Sequence, residues 1–422
     1  MDVSQNRMGK ILAHLRGQPD SCSVVCQPTA SQGFSDDDIV IVSAVRTPIC
    51  KAKRGAFASV HWTKLLSVAA RSACDRINLN PDLIEDVQVG TVLPPGGGAH
   101  PARMALLAAG FPEKTCLSAT NRQCSSGLQS VATIAAAIRS GYIEIGMAAG
   151  VESMTSNDMM SAIGSLPDFL LENPKAKDCL IPMGVTSENV AEKYNIGRAE
   201  QDEFALQSQQ RAGKAQREGL FKDEIVPVSV TVSNSDGSTK QVTVSDDDGI
   251  RSTTLEALQG LRPAFKQNGT TTPGNSSQVS DGAAAVILMK RRKALSLRLK
   301  PLGRFLCFCV VGVPPDIMGI GPAYAIPRAI EMANLKMSDI DIFEINEAFA
   351  SQAVYCVRKL NLDIEKVNPL GGAIALGHPL GATGTRMVAT LLYQLRRTGK
   401  RYGVTSMCIG TGMGAAAVFA AE

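Results

Sequence analysis

Three short segments of this 422-residue chain set reactive side chains in glycine-rich frames. Cys124 lies in Asn121-Arg122-Gln123-Cys124-Ser125-Ser126-Gly127 and His378 in Gly377-His378-Pro379-Leu380-Gly381. Cys408 lies in Ser406-Met407-Cys408-Ile409-Gly410-Thr411-Gly412-Met413-Gly414. A thiol, an imidazole and a second thiol are the parts that acyl transfer through a thioester needs: a nucleophile, a base that generates it, and another proton carrier. A cysteine where a strand turns into a helix faces the positive end of that helix, which predicts a thiol pKa below the free value of about 8.5. Ser125, Ser126 and Gly127 are small enough to leave backbone N–H groups free for an oxyanion. The glycines at 410, 412 and 414 let a ligand approach the backbone, or mark a bulged strand. In Asn346-Glu347-Ala348-Phe349 the amide could hold a water or polarise a carbonyl. Any one of these signals is weak alone, since free cysteine is among the most buried residue types. His14, His61 and His100 lack a comparable frame.

The elements that must carry these residues alternate between strand and helix. Ile39-Val40-Ile41-Val42 is a continuous apolar run suited to a central strand, and Thr63 to Arg76 reads as a helix. Leu128, Val131, Ala135 and Ile138 mark one face of a helix after Cys124 that Gly141 ends. Val388, Leu391, Leu392 and Leu395 do the same after His378, up to Gly399. The two halves repeat at an offset of about 256 residues. Asn78-Leu79, Ile84 and Val87-Gln88-Val89-Gly90 return as Asn334-Leu335, Ile340 and Phe343-Glu344-Ile345-Asn346, and the same offset carries Cys124 to Leu380. The pattern predicts an α/β protein of two layered halves with mixed sheets. From about Thr155 to Pro273 the texture is more polar. It holds a predicted hairpin, Val228 to Val232 and Val242 to Val244, around an Asn234-Ser235-Asp236-Gly237 turn. Such an insertion is a candidate ligand-binding lobe, with Arg251, Arg262 and Lys266 as potential phosphate contacts.

Composition narrows the function classes. With 45% hydrophobic and 19% charged residues the chain can bury a core too large for one domain. A net charge of +4, with Lys and Arg dispersed, argues against nucleic acid as a partner. Eleven cysteines at irregular spacings point to free thiols, and four histidines with no CxxC pair argue against zinc. No run is long enough to span a bilayer. Arg7 to Leu15 reads as an amphipathic segment with Met8, Ile11, Leu12 and Leu15 on one helical face, followed by Pro, Ser, Gly and Asp through Asp38.

The Cys124, His378 and Cys408 segments, with Asn346-Glu347-Ala348-Phe349 and Gly274-Asn275-Ser276-Ser277, together resemble the thiolase family from about Asp38 to the end of the chain. That resemblance implies a thiolase-like α/β fold, two similar βαβαβαββ halves in five layers (αβαβα) with an inserted loop domain. It implies residues 38–154 plus 280–300 as the amino-terminal half, 155–279 as a CoA-binding loop domain, and 301–422 as the carboxyl-terminal half. The implied reaction is thiolytic cleavage of a 3-ketoacyl-CoA by CoA in fatty acid β-oxidation, with CoA as substrate, no cofactor or metal, and a homodimer. Cys124 would carry the acyl group, His378 would take its proton, and Cys408 would serve the leaving and incoming groups. His378 with a water on Asn346 would form one oxyanion site, and the N–H groups of Cys124 and Gly410 the other. Arg251, Phe265, Met183 and Ser277 match family positions along the CoA channel, and Pro273 stands where the family has a small residue. Residues 1–37 are similar to a targeting presequence. Arg7-Met8 followed by His14-Leu15 resembles the amino-terminal peroxisomal signal that a soluble import receptor reads, which implies a peroxisomal location and cleavage near Cys26. A biosynthetic acetoacetyl-CoA synthase would share every catalytic residue. A ketoacyl synthase would have a second histidine in place of Cys408, a cysteine hydrolase would leave Cys408 unexplained, and a non-catalytic lipid-binding member would have lost a reactive residue.

Overall fold

The computed structural model describes residues 33–159, 163–233 and 239–422. The amphipathic segment at 7–15 and the Asn234 to Gly237 turn lie outside the described residues.

Nine strands make one path through the main sheet. They are β1 (Ile39–Arg46), β3 (Asp86–Gly90), β4 (Cys116–Thr120), β5 (Ile145–Ser153), β8 (Ser280–Lys290), β9 (Gly303–Gly312), β10 (Ile342–Ile345), β11 (Tyr402–Ile409) and β12 (Met413–Ala421). Their order is β10-β11-β12-β9-β1-β8-β5-β3-β4, and the short β2 (Cys50–Lys51) adds to β8. A hairpin of β6 (Val228–Ser233) and β7 (Thr239–Val244) stands apart, at the position that the alternating valines predict.

The order runs the same way outward from the β1–β9 seam, so the two halves mirror the repeat read from the sequence. β3 pairs in parallel with β4 and β5, as β10 does with β11, whereas β5–β8 and β11–β12 are antiparallel. The 256-residue offset holds to the residue in places. Single 3-10 turns occupy Pro81–Leu83 and Met337–Asp339, and the residues ahead of them, Asn78 and Asn334, both take left-handed backbone with φ of 51° and 54°. Asparagine tolerates that conformation better than most residues. The halves differ at the far edge, where β4 has as its counterpart only a single parallel bridge, Phe343 to Val367.

Eight helices of ten or more residues lie among the described residues: α1 (Trp62–Asp75), α2 (Ala99–Ala108), α3 (Ser126–Arg139), α4 (Met183–Lys193), α5 (Arg198–Arg217), α6 (Gly321–Met332), α7 (Ala350–Leu360) and α8 (Leu380–Thr398). His61 caps α1, its ring nitrogen 2.7 Å from the Thr63 hydroxyl, which accounts for the His61-Trp62 pair. Apolar strand faces sort the helices into layers. Leu65, Leu66 and Leu106 of α1 and α2 pack on Val40, Val87 and Ile287, covering the outer face of the first half. Leu128, Val131 and Ile134 of α3 meet Val388, Leu391 and Leu392 of α8 between the inner faces, against Ile41, Leu288, Ile342 and Phe419. Ile326 and Ala329 of α6 cover the outer face of the second half on Phe343, Val404 and Val418. Burying one such Leu or Ile side chain stabilises by about 1.5–3 kcal/mol. The result is five layers, helix–sheet–helix–sheet–helix.

The segment between the halves is shared among their cores. Val228, Val230 and Val244 of the hairpin join the outer core of the first half, while Val190 of α4 and Phe204 and Ala205 of α5 pack with Ala353 and Tyr355 of α7. Arg46 of β1 ties it down electrostatically, buried between Glu224 at 2.5 Å and Asp247 at 2.7 Å.

The two central helices approach each other through glycines. A Cβ at Gly127 would stand 2.5 Å from the Gly381 carbonyl oxygen, and one at Gly384 would overlap the Leu128 backbone nitrogen. The Thr385 hydroxyl donates to the Gly127 carbonyl at 3.0 Å. With no side chains between them, the amino-terminal ends of α3 and α8 come together beside the carboxyl ends of β3, β5, β10 and β11. Open α/β sheets place their ligands at such an edge.

Candidate active site

Cys124 stands two residues before α3, in an elbow fixed from both sides. Gln123 takes left-handed backbone, φ 46°. Its N–H donates to Asn121 Oδ1 at 2.9 Å, and its carbonyl accepts from the Ser126 hydroxyl at 2.6 Å. A non-glycine residue held there costs about 1–3 kcal/mol, a strain found at functional turns. The elbow aims Cys124 into a pocket of Ala52, Val92, Leu93, Met154 and Leu380.

Cys408 reaches the same place from β11. Its strand pairs in parallel with β10, which ends at Ile345, and the Asn346 N–H then donates to the Ser406 carbonyl at 2.8 Å. The chain turns back after Ile409 through Thr411 and Gly412, both at positive φ. In that turn the Gly410 N–H is directed at the Cys124 sulfur. Cys124 is near enough for its charge to be felt by Cys408, although the two lie 284 positions apart in the sequence.

His378 is buried in the loop before α8 and anchored at both ends of its ring. Nδ1 lies 2.7 Å from the Thr383 hydroxyl and Nε2 lies 3.4 Å from Asn346 Nδ2, while its own N–H donates to the Gln278 carbonyl at 3.0 Å. Thr383 and Asn346 thus fix the orientation of the ring from its two nitrogens. Asn346 Oδ1 is buried with no partner, an acceptor free for a water or a substrate group.

The electrostatics correct one expectation. The helix end and the Gly410 N–H favour a Cys124 thiolate, but burial outweighs them and pushes the thiol up to about 11, with the Glu152 carboxylate adding to the rise. Desolvation wins because the elbow sinks the sulfur among apolar side chains. Burial raises the Cys408 thiol further, with Cys124 and Cys356 as lesser causes. Burial lowers His378 to about 3, helped by the Arg386 guanidinium. The resting site therefore holds neutral thiols and a neutral imidazole.

Of the four residues matched to a CoA channel, Met183 packs against Cys408 itself, and Phe265 and Ser277 contact Phe349 and Ala348 of the same cluster. Met183 opens α4 and packs against Met318, Phe349 and Cys408. Phe265 is half exposed, lies on Gly184, and meets Phe349 edge-on at 6.3 Å. The Ser277 N–H donates to the Ala348 carbonyl at 3.0 Å. Arg251 connects from further out. Its N–H donates to Gln209 Oε1 at 2.8 Å, and Gln278, which holds His378, also donates to the Gly249 carbonyl at 2.6 Å. The Arg251 Nε is buried without a partner, and burial lowers the guanidinium pKa.

Sequence reasoning missed the residues that hold these groups in place. Glu347 is buried and accepts from the Ser208 hydroxyl at 2.6 Å, Asn368 Nδ2 at 2.8 Å and the Ile374 N–H at 3.1 Å, which fixes the loop leading to His378. Glu152 is wholly buried at the end of β5. Its signal was a lone carboxylate closing the apolar run Ile145 to Val151.

Residues 39–292 match the thiolase amino-terminal domain and 299–421 the thiolase carboxyl-terminal domain. The chain is 58% identical over 419 residues to 3-ketoacyl-CoA thiolase B, peroxisomal, of Rattus norvegicus, covering 98% of this chain and 99% of that one. Among solved structures it is similar to the dimeric peroxisomal thiolase of Saccharomyces cerevisiae, with TM-score 0.85, 51% identity, and 92% and 99% of the two chains covered. A second structure of the peroxisomal 3-ketoacyl-CoA thiolase of that yeast, described as five-layered with two core domains of identical topology, matches with TM-score 0.75 and 48% identity over 92% and 99%. Both domain models and the full-length relatives thus agree, and the chain belongs to the thiolase family.

Proposed function

We propose that this chain is a peroxisomal 3-ketoacyl-CoA thiolase, an acetyl-CoA C-acyltransferase that cleaves a 3-ketoacyl-CoA with CoA into acetyl-CoA and a shortened acyl-CoA in fatty acid β-oxidation. His378 takes the Cys124 proton as the sulfur attacks the C3 carbonyl, and the new C–S bond is followed by cleavage of C2–C3. The pair of electrons left on C2 takes a proton from Cys408, releasing acetyl-CoA. Cys408 then removes the thiol proton of incoming CoA, whose sulfur displaces Cys124 from the thioester. His378 and a water on Asn346 receive charge on one carbonyl oxygen, and the N–H groups of Cys124 and Gly410 receive it on the other. Arg251, Ser277, Met183 and Phe265 line the way in for CoA, which is a substrate, and no cofactor is required. Residues 155–279 act as the CoA-holding loop domain between the halves 38–154 plus 280–300 and 301–422. The protein works as a homodimer. Residues 1–37 are the presequence read by a peroxisomal import receptor.

What carries the reading is the Gly410 N–H directed at the Cys124 sulfur with Cys408 beside it, because a hydrolase has no use for the second thiol. The decisive measurement is CoA-dependent loss of 3-ketoacyl-CoA absorbance across a series of chain lengths. Turnover confined to acetoacetyl-CoA would instead indicate the biosynthetic direction. A reporter fused to residues 1–35 that stayed in the cytosol would remove the targeting assignment.

A further inference from the structure

Glu152 has no ion-pair partner among the described residues, is 0% exposed, and accepts hydrogen bonds from two separate parts of the site. Its Oε2 takes the N–H groups of Val92 and Gly381, each at 3.0 Å, and Oε1 takes that of Leu93 at 3.1 Å. Val92 and Leu93 follow β3 and pack against Cys124, and Asn121, at the base of the Cys124 elbow, donates to the Val92 carbonyl at 3.1 Å. Gly381 lies three residues after His378, in the first turn of α8. One carboxylate thus joins the loop behind the nucleophile to the helix that starts at the imidazole.

We propose that Glu152 is a positioning residue for acyl transfer: its carboxylate clasps the loop after β3 to the first turn of α8 and so sets where His378 stands relative to the Cys124 sulfur. This rests on the reading of Cys124 as the acyl carrier. Only a carboxylate fits the position well. Three N–H donors converge on it, and a glutamine would turn an NH2 group toward at least one of them, leaving a buried donor facing a donor. Gly381 leaves the clasp little slack, since a Cβ there would stand 2.6 Å from the Thr91 Cα and 2.8 Å from the Val151 carbonyl oxygen. The clasp also acts at a distance. Burial raises Glu152 to about 7 against the pull of its three N–H donors and the Thr91 side chain, and its negative charge raises the Cys124 thiol. The other groups bearing on that sulfur are the Gly410 N–H and, from β11, the thiol of Cys408. Geometry and field therefore oppose each other: the carboxylate holds the base in place while making the thiol harder to ionise.

The test uses the full-length enzyme with Glu152→Gln and Glu152→Asp, reading kcat, KM for CoA, and the pH dependence of Cys124 alkylation by iodoacetamide. For Glu152→Gln the expectation is a fall in kcat of about 30-fold or more, the scale on which small misplacements act, with KM changed less than about threefold. Cys124 alkylation should become faster above pH 7, where Glu152 of the parent is ionised and the variant lacks that charge. Glu152→Asp keeps the charge on a shorter arm, so kcat should fall while the alkylation profile stays as in the parent. A packing lesion that merely let water reach Cys124 would quicken alkylation in Glu152→Asp as well, so a parent-like profile in that variant separates the clasp from such a lesion. Parent-like kcat in both variants overturns the proposal, as does a joint loss of kcat and KM with an unmoved alkylation profile in Glu152→Gln. If Glu152→Gln fails to fold, Glu152→Asp decides alone: lowered kcat with an unmoved profile supports the clasp and unchanged kcat ends it. Labelling of the parent by radioactive acyl-CoA separates the two levels. Absence of label on Cys124 defeats the acyl-carrier reading and the clasp with it, whereas normal labelling with inert variants defeats the clasp alone.

Discussion

Cys124 and His378 begin the reaction from their neutral forms, and that has a direct consequence for reactivity. With the thiol near 11, the thiolate fraction at pH 7 is small and grows about tenfold per pH unit. Alkylation of Cys124 in the free enzyme should therefore climb steadily from pH 6 to 10. A plateau already reached at pH 7 would mean a standing thiolate–imidazolium pair and would contradict this electrostatic account. The division of labour between the thiols is tested separately. Cys124→Ala should abolish acyl-enzyme formation, whereas Cys408→Ala should still accept an acyl group from a reactive thioester while its thiolysis falls by about 10²-fold or more, the range for losing a general acid–base group. Equal labelling of the parent and Cys124→Ala by radioactive acyl-CoA would remove Cys124 from its role. The identities of these residues were legible from their glycine frames, but the sign of the Cys124 shift was not. That sign depends on what covers the sulfur, and the cover comes from Ala52, Val92, Met154 and Leu380, none of them close in sequence. Glu152 escaped notice for the same reason, because its partners Val92, Leu93 and Gly381 declare themselves only in three dimensions.

At the level of elements, the repeat gave the sequence its strongest grip on the fold. Strand and helix alternate in both halves because the apolar spacing does, and the 256-residue offset located equivalent turns without any coordinates. Two features did not follow from it. The missing partner of β4 in the second half arises where the Val367 segment makes one bridge rather than a ladder. The polar insertion reads as a lobe of its own, yet it divides its apolar residues between the two halves. The glycine contacts of α3 and α8 explain why the reactive loops meet, and they make a prediction with a built-in contrast. Gly384→Ala places a methyl group on the Leu128 backbone, which cannot retreat, and should lower stability by about 1–3 kcal/mol or more. Gly213→Ala in α5 meets only the flexible end of Arg217 at 3.3 Å and Ile250 at 3.7 Å, and should raise it by about 0.5–1 kcal/mol. Thermal melts of the two variants moving in the same direction would show that helix contact does not govern the α3–α8 seam.

Across the whole molecule, the buried charges between the halves couple folding to pH. Glu344 of β10 sits wholly buried 3.9 Å from the Arg386 guanidinium of α8, and burial raises it to about 8 in spite of that pair. Glu152 is raised to about 7 and His378 lowered to about 3. A carboxyl raised on folding keeps a proton that the unfolded chain gives up, so its contribution is complete below about pH 4.5 and is lost as pH rises through the folded value. His378 works the other way: its contribution is complete above about pH 6.5 and is lost as pH falls toward 3. Between pH 6.5 and 8 the two carboxyls act without opposition from His378, so for these groups stability should decline with rising pH in that window. The slope for one fully titrating group is about 1.4 kcal/mol per pH unit. Glutamine resembles the protonated acid, so Glu344→Gln removes this source of slope while keeping the shape of the side chain. Melting temperatures recorded from pH 5 to 8 should therefore fall less steeply in Glu344→Gln than in the parent, the two curves drawing apart from about pH 5 and levelling off in their separation toward pH 8. Parallel curves across the range would show that Glu344 titrates as an ordinary carboxylate and that its contact with Arg386, and not its burial, decides its charge.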